Sequence, residues 1–495
     1  MSSRPGTARN VLLMFLTQFA TWAVTFVVMI FVPRYLGAVG LGKLSYVSST
    51  VGLFGVLVSL GTGTVMIRSV SRDHSSAPSY LINSYVMSVP LALLAGCLAY
   101  GVSCFRHNVP STRVLIAVGA LGLVTGVFSN TNYNVLQGLE RFSKQNIASI
   151  ADKYLNSLLL VGLVILKAKL WMLVLINPVC NVISFLFSAT FLRDVFAAAK
   201  SPRLLEIRQM VIIGLPFLGF SIFRNLYGQT DPLIIAQVSS FQSVGWYSAA
   251  AKLLGTTMII PSAVSTVMLP VMSRQFQNDK VQFNASIFRF YKLMALTGLP
   301  ITLVTYALAG RMLQLLHYGP SFNNAIPVLQ VGSITILLCF IAMPFGYGVI
   351  SSDKQVQLML TALLATVVFL PTCYFLCKLT TQMMGNAAIG AIISDGATEL
   401  VIITCYIKSL PKGCVTMQFL VYGAKCIAAS LPMVGILLLG KSHPAYDIVF
   451  AALALIVYAG AAWFLGCVQP EDIGSMKNML SAKLSKPRTE EASVV

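Results

Sequence analysis

Runs of about twenty mostly apolar residues recur along this chain, each long enough to cross a bilayer core of about 30 Å as a helix. Inside hydrocarbon no water satisfies a backbone N–H or C=O, so a spanning segment is either a helix or part of a closed barrel. Barrel strands show as runs of about ten residues with alternating polarity. The runs here are longer and do not alternate, which predicts an all-α integral membrane protein. Composition points the same way: of 495 residues, 57% are hydrophobic and 10% charged, against roughly 25% charged in soluble domains.

About fourteen spans are predicted, at 11–33, 44–67, 81–104, 113–133, 146–166, 170–192, 209–233, 244–270, 284–308, 325–350, 356–377, 384–407, 416–439 and 445–467. The first is too long for a signal peptide and has no small-residue cleavage site, so it reads as a span. The tail after Pro470 has a mixed-charge composition that predicts disorder. If the N-terminus is inside, the inner connections hold nineteen Lys and Arg and the outer ones nine. That asymmetry predicts a multi-pass protein with both termini in the cytoplasm. It also absorbs much of the formal net charge of +19, so nucleic acid is not an expected partner. The ten cysteines form no C-x-x-C pair and the four histidines are scattered. Packing roles follow for the thiols, and no metal or other cofactor is expected.

The chain also repeats itself. Thr64 to Arg72 reads TVMIRSVSR and Thr266 to Arg274 reads TVMLPVMSR, both at the cytoplasmic close of an even-numbered span. Upstream, GLGKLSYVSS around Gly42 answers SVGWYSAAAK around Gly245. A repeat of six helices gives parallel halves related by an axis along the membrane normal. The expected organisation is a six-helix lobe over 1–200, a second over 201–410, two additional helices over 411–468 and a cytoplasmic tail over 469–495.

The segment FVPRYLGAVGLGKLSYVSSTVGLFGVLVSLGTGTVMIRSVSRD, Phe31 to Asp73, resembles the Wzx-type polysaccharide-unit flippases of bacteria. Also similar are LQGLERF from Leu136 to Phe142, Asp231 in helix 7, VGWYSAAAKL from Val244 and NAAIGAIISD from Asn386. The resemblance runs over essentially the whole chain. It implies the MATE-like fold of the multidrug/oligosaccharidyl-lipid/polysaccharide exporter superfamily. It also implies alternating-access transfer of an undecaprenyl-pyrophosphate-linked oligosaccharide across the bacterial inner membrane, for O-antigen, capsule or exopolysaccharide. The start of the chain lacks the pattern of a lipid II flippase, and the two closing helices set it apart from twelve-helix drug extruders.

Ionisable groups within spans are costly and usually face a cavity. Arg289 and Lys292, near the inner end of helix 9, fit snorkelling, and Asp152 and Lys153 can offset one another. Arg224 and Lys252 fall at similar depth, roughly 22 Å up helix 7 and roughly 12 Å down helix 8. They are candidates for a pyrophosphate site, the Arg by its planar fork and the Lys by its compact charge. Either could instead form an ion pair with Asp231. Phe217, Phe220, Arg224, Tyr227 and Asp231 share a face of helix 7, which Gly214, Pro216, Gly219, Gly228 and Pro232 make easy to bend. Gln18, Thr21 and Thr25 on helix 1, and Asn177 and Asn181 on helix 6, are candidates for sugar contact or for interhelical hydrogen bonds. The run SNTNYN, Ser129 to Asn134, reads as the inner end of helix 4.

No P-loop occurs to use ATP. Asp231, Asp395 and Glu399 are therefore candidates for coupling to a proton or sodium gradient, or for pairing with a nearby base. A drug antiporter of the same fold would favour an acidic, aromatic cavity, whereas basic groups outnumber acidic ones six to four inside the spans. A membrane polymerase or acyltransferase would need a long outer loop and an intramembrane base, so an enzyme is not expected. The resemblance implies the lipid-linked substrate and a polysaccharide polymerase as partners, beside membrane lipids.

Overall fold

The computed structural model describes residues 7–105, 110–198, 201–441 and 446–468. The helices are α1 Thr7–Ser59, α2 Thr62–Arg72, α3 Ala77–Phe105, α4 Pro110–Gly138, α5 Phe142–Ile165 and α6 Leu170–Thr190. They continue as α7 Arg193–Ala197, α8 Leu204–Gln229, α9 Asp231–Val238, α10 Phe241–Thr257, α11 Ile259–Asn278 and α12 Lys280–Leu315. The chain closes with α13 Ala325–Ser351, α14 Gln355–Met384, α15 Ala387–Ser409, α16 Met417–Lys441 and α17 Asp447–Phe464. No strand occurs among the described residues.

Among the described residues eleven helices are long and apolar enough to cross a membrane, or twelve with α10 and α11, bent by 42°, as one broken span. The fourteen expected spans are consistent with this. α1 carries two of them across Gly37, whose φ of 61° lies where L-residues are strained. α8 and α9 together cover the seventh. Pro232, in the first turn of α9, has no N–H for the carbonyl four residues back, which breaks the helix there. Leu186, Leu431 and Ile456 point outward, the apolar outer surface that a lipid environment requires.

α1 and α3–α6 pack as one lobe and α10–α15 as a second, with α16 and α17 laid together against α12. That terminal pair is fastened by Arg311 to Asp447 at 2.8 Å and by the Tyr458 hydroxyl to the Leu296 carbonyl at 2.9 Å. Lys292 lies over the rings of Phe288 and Tyr422 at 5.6 and 5.7 Å.

The lobes meet through the two halves of the repeat. A Cβ on Gly42 would stand 1.7 Å from the Phe241 carbonyl oxygen, and one on Gly245 would stand 1.9 Å from that of Ala38. Each glycine is thus seated on the carbonyl of the residue four before its counterpart, as a two-fold relation demands. Backbone approach this close is what small residues permit at helix contacts in membranes. Around it, Tyr46 and Phe241 pack edge to face at 5.4 Å, Arg34 donates to the Leu316 carbonyl at 2.7 Å and Tyr318 to that of Met29 at 2.6 Å. This seal lies on the membrane face opposite the one from which α1 starts.

Towards the N-terminal face, α2 and α11, which carry the repeated TVM segments, share no packed interface. Contact there runs through α8. Asn83 donates to Glu206 at 2.8 Å, Ser79 donates to the same carboxylate, and the Arg203 N–H donates to Asn83 at 2.9 Å. The Ser79 hydroxyl, with Arg203 and Asn83, holds the Glu206 carboxyl below its usual range. This docking is therefore favoured above the ordinary glutamate pKa and is lost as pH falls through the lowered value. α4 differs from expectation: it runs on to Gly138, so Ser129 to Asn134 lie inside the helix, where the lobe supplies a polar cavity.

Gly42→Val must prise α1 from α10 at the sealed face. Spin labels at Lys43 and Gln242 are expected to move apart in this variant, measured by electron double resonance. An unchanged distance would remove the glycine contact as the seal.

Candidate functional site

A cavity of about 700 Å³ lies between the lobes beneath the glycine contact. α1 contributes Ser45, Ser48 and Gly52, α6 contributes Asn177, the broken helix contributes Gln229 and Pro232, and α10 contributes Tyr247, Ser248 and Lys252. Ser45 and Ser248 occupy corresponding places in the repeat, three residues after Gly42 and Gly245. Lys252 is exposed to this space and, among the described residues, has no hydrogen-bond or ion-pair partner.

A second cavity of about 530 Å³ continues from the first through Gly122, Leu123 and Asn177 into the first lobe. It is lined by Ser59 and Thr62 from α1 and α2, Ser84 from α3, Asn130 and Asn134 from α4 and Asn181 from α6. Glycines set the spacing at the junction: a Cβ on Gly122 would stand 3.0 Å from the Asn177 side-chain oxygen. Asn132 points away, donating to Ser188 at 2.9 Å and accepting from Tyr85 at 2.5 Å.

The carboxylates gather elsewhere, inside the second lobe. Asp231 is buried at the start of α9 and accepts from the Cys373 thiol at 3.7 Å. Tyr247 reaches Asp395 at 3.4 Å, and Glu399 follows one turn along α15. Among the described residues none of the three has a cationic partner within 4 Å, so Asp231 pairs with neither Arg224 nor Lys252. Asp152, likewise, accepts from Ser184 and is not joined to Lys153. No grouping of His, Cys, Asp and Glu suited to a metal ion occurs among the described residues.

The structure sorts the candidate residues as follows. Lys252 and Asn177 line the interlobe cavity, and Asn177 and Asn181 line the second one. Asn181 also serves between helices, donating to the Gly122 carbonyl at 3.2 Å and to Asn177 at 3.1 Å. Tyr227 packs edge to face on Phe369 at 5.0 Å, beside the three acids. Arg224 is exposed on α8 but does not line the cavity of Lys252; it and Glu399 both act electrostatically on Tyr406 of α15. The side chains of Gln18, Thr21, Phe217 and Phe220 lie outside the described residues. Sequence reasoning missed Asn130, Asn134, Ser45 and Ser48. The signal for the first two was present in SNTNYN, whose asparagines at 130 and 134 share a helix face.

A family model described as polysaccharide biosynthesis protein matches residues 7–276. A Shigella flexneri protein provisionally named O-antigen transporter is 24% identical over 64% of this chain and 78% of its own length. An uncharacterised membrane protein of the cps region of Klebsiella pneumoniae is 22% identical over 44% of each chain, so that match spans less than half of the relative. Among solved structures, an inward-facing MATE-family multidrug resistance transporter of the MOP superfamily superposes with a TM-score of 0.63 at 14% identity. It covers 79% of this chain and 93% of that one. The lipid II flippase MurJ in an inward closed conformation gives a TM-score of 0.62 at 11% identity, covering 90% and 98%. These likenesses show the fold.

A cysteine placed at Asn177 should react with a water-soluble maleimide that enters through the cavities. Adding Gly122→Val, whose side chain fills the junction, should slow the reaction several-fold. Gly255→Val, at a position with open space around it, should not.

Proposed function

The chain belongs to the polysaccharide biosynthesis protein family, and on that premise we propose that it is a flippase for undecaprenyl-pyrophosphate-linked oligosaccharide repeat units. It carries them from the inner to the outer leaflet of a bacterial cytoplasmic membrane for O-antigen, capsule or exopolysaccharide assembly. Both termini are cytoplasmic, so the glycine seal closes the outer face and the cavities face the cytoplasm. The observation that carries this reading is Lys252, a cation without a counter-charge in a cavity between two lobes. A charge in such a place is tolerable when a ligand of opposite sign completes it.

The diphosphate supplies that sign. Lys252 holds it by charge-assisted hydrogen bonds, and the hydroxyls of Ser45, Ser48 and Ser248 add neutral donors. Arg224, about 12 Å nearer the cytoplasm than Pro232 along α8, meets the diphosphate on its way in. Asn177 and Asn181 serve the sugars, with Gln18 from helix 1, and the outer end hands the unit to a polymerase. Tyr227 keeps company with the acids and sits on the energy-coupling side. Asp231, Asp395 and Glu399 couple the cycle to a proton or sodium gradient, since carboxylates without cationic partners can take up a cation reversibly. A small-molecule antiporter of this fold could use the same acids, but the unpaired ammonium in the cavity favours an anionic cargo.

Two outcomes follow. In proteoliposomes carrying a fluorescent undecaprenyl-pyrophosphate oligosaccharide, Lys252→Gln is expected to cut transfer roughly tenfold or more, as loss of about 1.5–3 kcal/mol of charged hydrogen bonding implies. Lys252→Arg should retain most of it, and transfer indifferent to Lys252→Gln would discard the site. Glu399→Gln and Asp395→Asn should abolish the response of the rate to imposed proton or sodium gradients while leaving binding intact. A parent rate that ignores both gradients would rule coupling out.

A further inference from the structure

Among the described residues the second cavity is uncharged. Its lining is made of Asn, Ser, Thr, Gly, Val and Leu, with no ionisable side chain among the residues described there. The orientation of two of its amides is fixed by their partners. Asn130 faces the Gly126 carbonyl at 2.9 Å and Asn181 the Gly122 carbonyl at 3.2 Å, and only an amide NH₂ can donate to a carbonyl. Both residues therefore engage at least one amide N–H inside the protein, and among the described residues their side-chain oxygens accept no hydrogen bond. Acceptor oxygens welcome hydroxyl and N-acetyl N–H groups and repel a carboxylate. In a low-dielectric interior an anion without a cation or a full set of donors is strongly disfavoured.

The cavity also stands in the right place. It joins the space around Lys252 through Gly122, Leu123 and Asn177, so a diphosphate held by Lys252 would direct the attached sugars past Asn177 and into it. At about 530 Å³ it falls within the roughly 300–1,000 Å³ of sites that enclose a small ligand.

We propose that this amide-lined cavity is the seat of the sugars nearest the diphosphate, and that it selects uncharged sugars over sugars bearing a carboxylate. The selection rests on the flippase reading above and adds to it the chemical class of the cargo. It works by exclusion as much as by attraction: a uronic acid would lose hydration and find neutral amides and hydroxyls but no cation.

The test uses the full chain in lipid nanodiscs with two synthetic lipid diphosphate oligosaccharides, identical except that one hexose is replaced by the hexuronic acid. The neutral compound is expected to bind at least about tenfold more tightly and to be moved correspondingly faster in proteoliposomes, within the range a single unmatched polar group produces. Asn130→Lys, which supplies a cation, should narrow or reverse the gap, and its retained binding of the neutral compound reports that it is folded. Equal binding and movement of both compounds by the parent would overturn the selection and leave the flippase reading standing. Failure to bind or move either would overturn the flippase reading and the selection with it.

Discussion

Two carbonyl oxygens occupy space that any side chain on Gly42 or Gly245 would fill. Everything about how the lobes can stand relative to one another starts from that contact. It brings α1 and α10 together backbone to backbone on one membrane face and fixes where the rings of Tyr46 and Phe241 meet. Both spans then change direction, one at Leu60–Gly61 and the other near Met258, so that α2 and α11 run on without packing together. The result is a wedge, closed at one end, whose interior is the cavity. Contacts of this kind hold by fit and by weak C–H···O attraction. They can be made and broken in a transport cycle more readily than a desolvated ion pair could.

The charges of the interior are sorted by region. The first lobe offers hydroxyls and amides, the second encloses three carboxylates, and the junction holds Lys252. Mixing these groups would have produced internal ion pairs and a rigid, self-satisfied core. Separation leaves each region incomplete in a different way: among the described residues Lys252 has no anionic partner, the three carboxylates have no cationic one, and the first lobe's cavity has no charge at all. The cargo proposed above, a diphosphate-linked glycan moved with a cation, would supply the missing charges.

The membrane architecture was legible in the sequence because bilayer thickness and backbone satisfaction leave so few solutions to a chain of apolar runs. The paired glycines could be found in the sequence too, since a serine stands three residues after Gly42 and Gly245 alike. The site was only partly so. Depth along a helix placed Arg224 and Lys252 at one level, yet depth says nothing of azimuth, and α8 turns Arg224 towards α15 while α10 turns Lys252 into the cavity. The run at Ser129 to Asn134 read as a helix end because polar residues usually mark one. An interior cavity produces the same composition, and only the packing of α4 on α6 tells the two apart.

α8 and α9 bear on both lobes, which makes their break consequential. On the N-terminal face Glu206 is fastened to Ser79 and Asn83 of the first lobe, while beyond the break Asp231 is buried among Cys373, Tyr247 and Asp395 of the second. Between these anchors Gly228, Gln229 and Pro232 face the cavity. Occupancy of the acid cluster and occupancy of the cavity therefore act on a single flexible element. Any preference of one ligand for a particular angle at Thr230 must appear, with the same coupling free energy, in the binding of the other. The helix broken at Pro232, and Tyr247, which lines the cavity and reaches Asp395, are the two places where these chemically unlike sites meet.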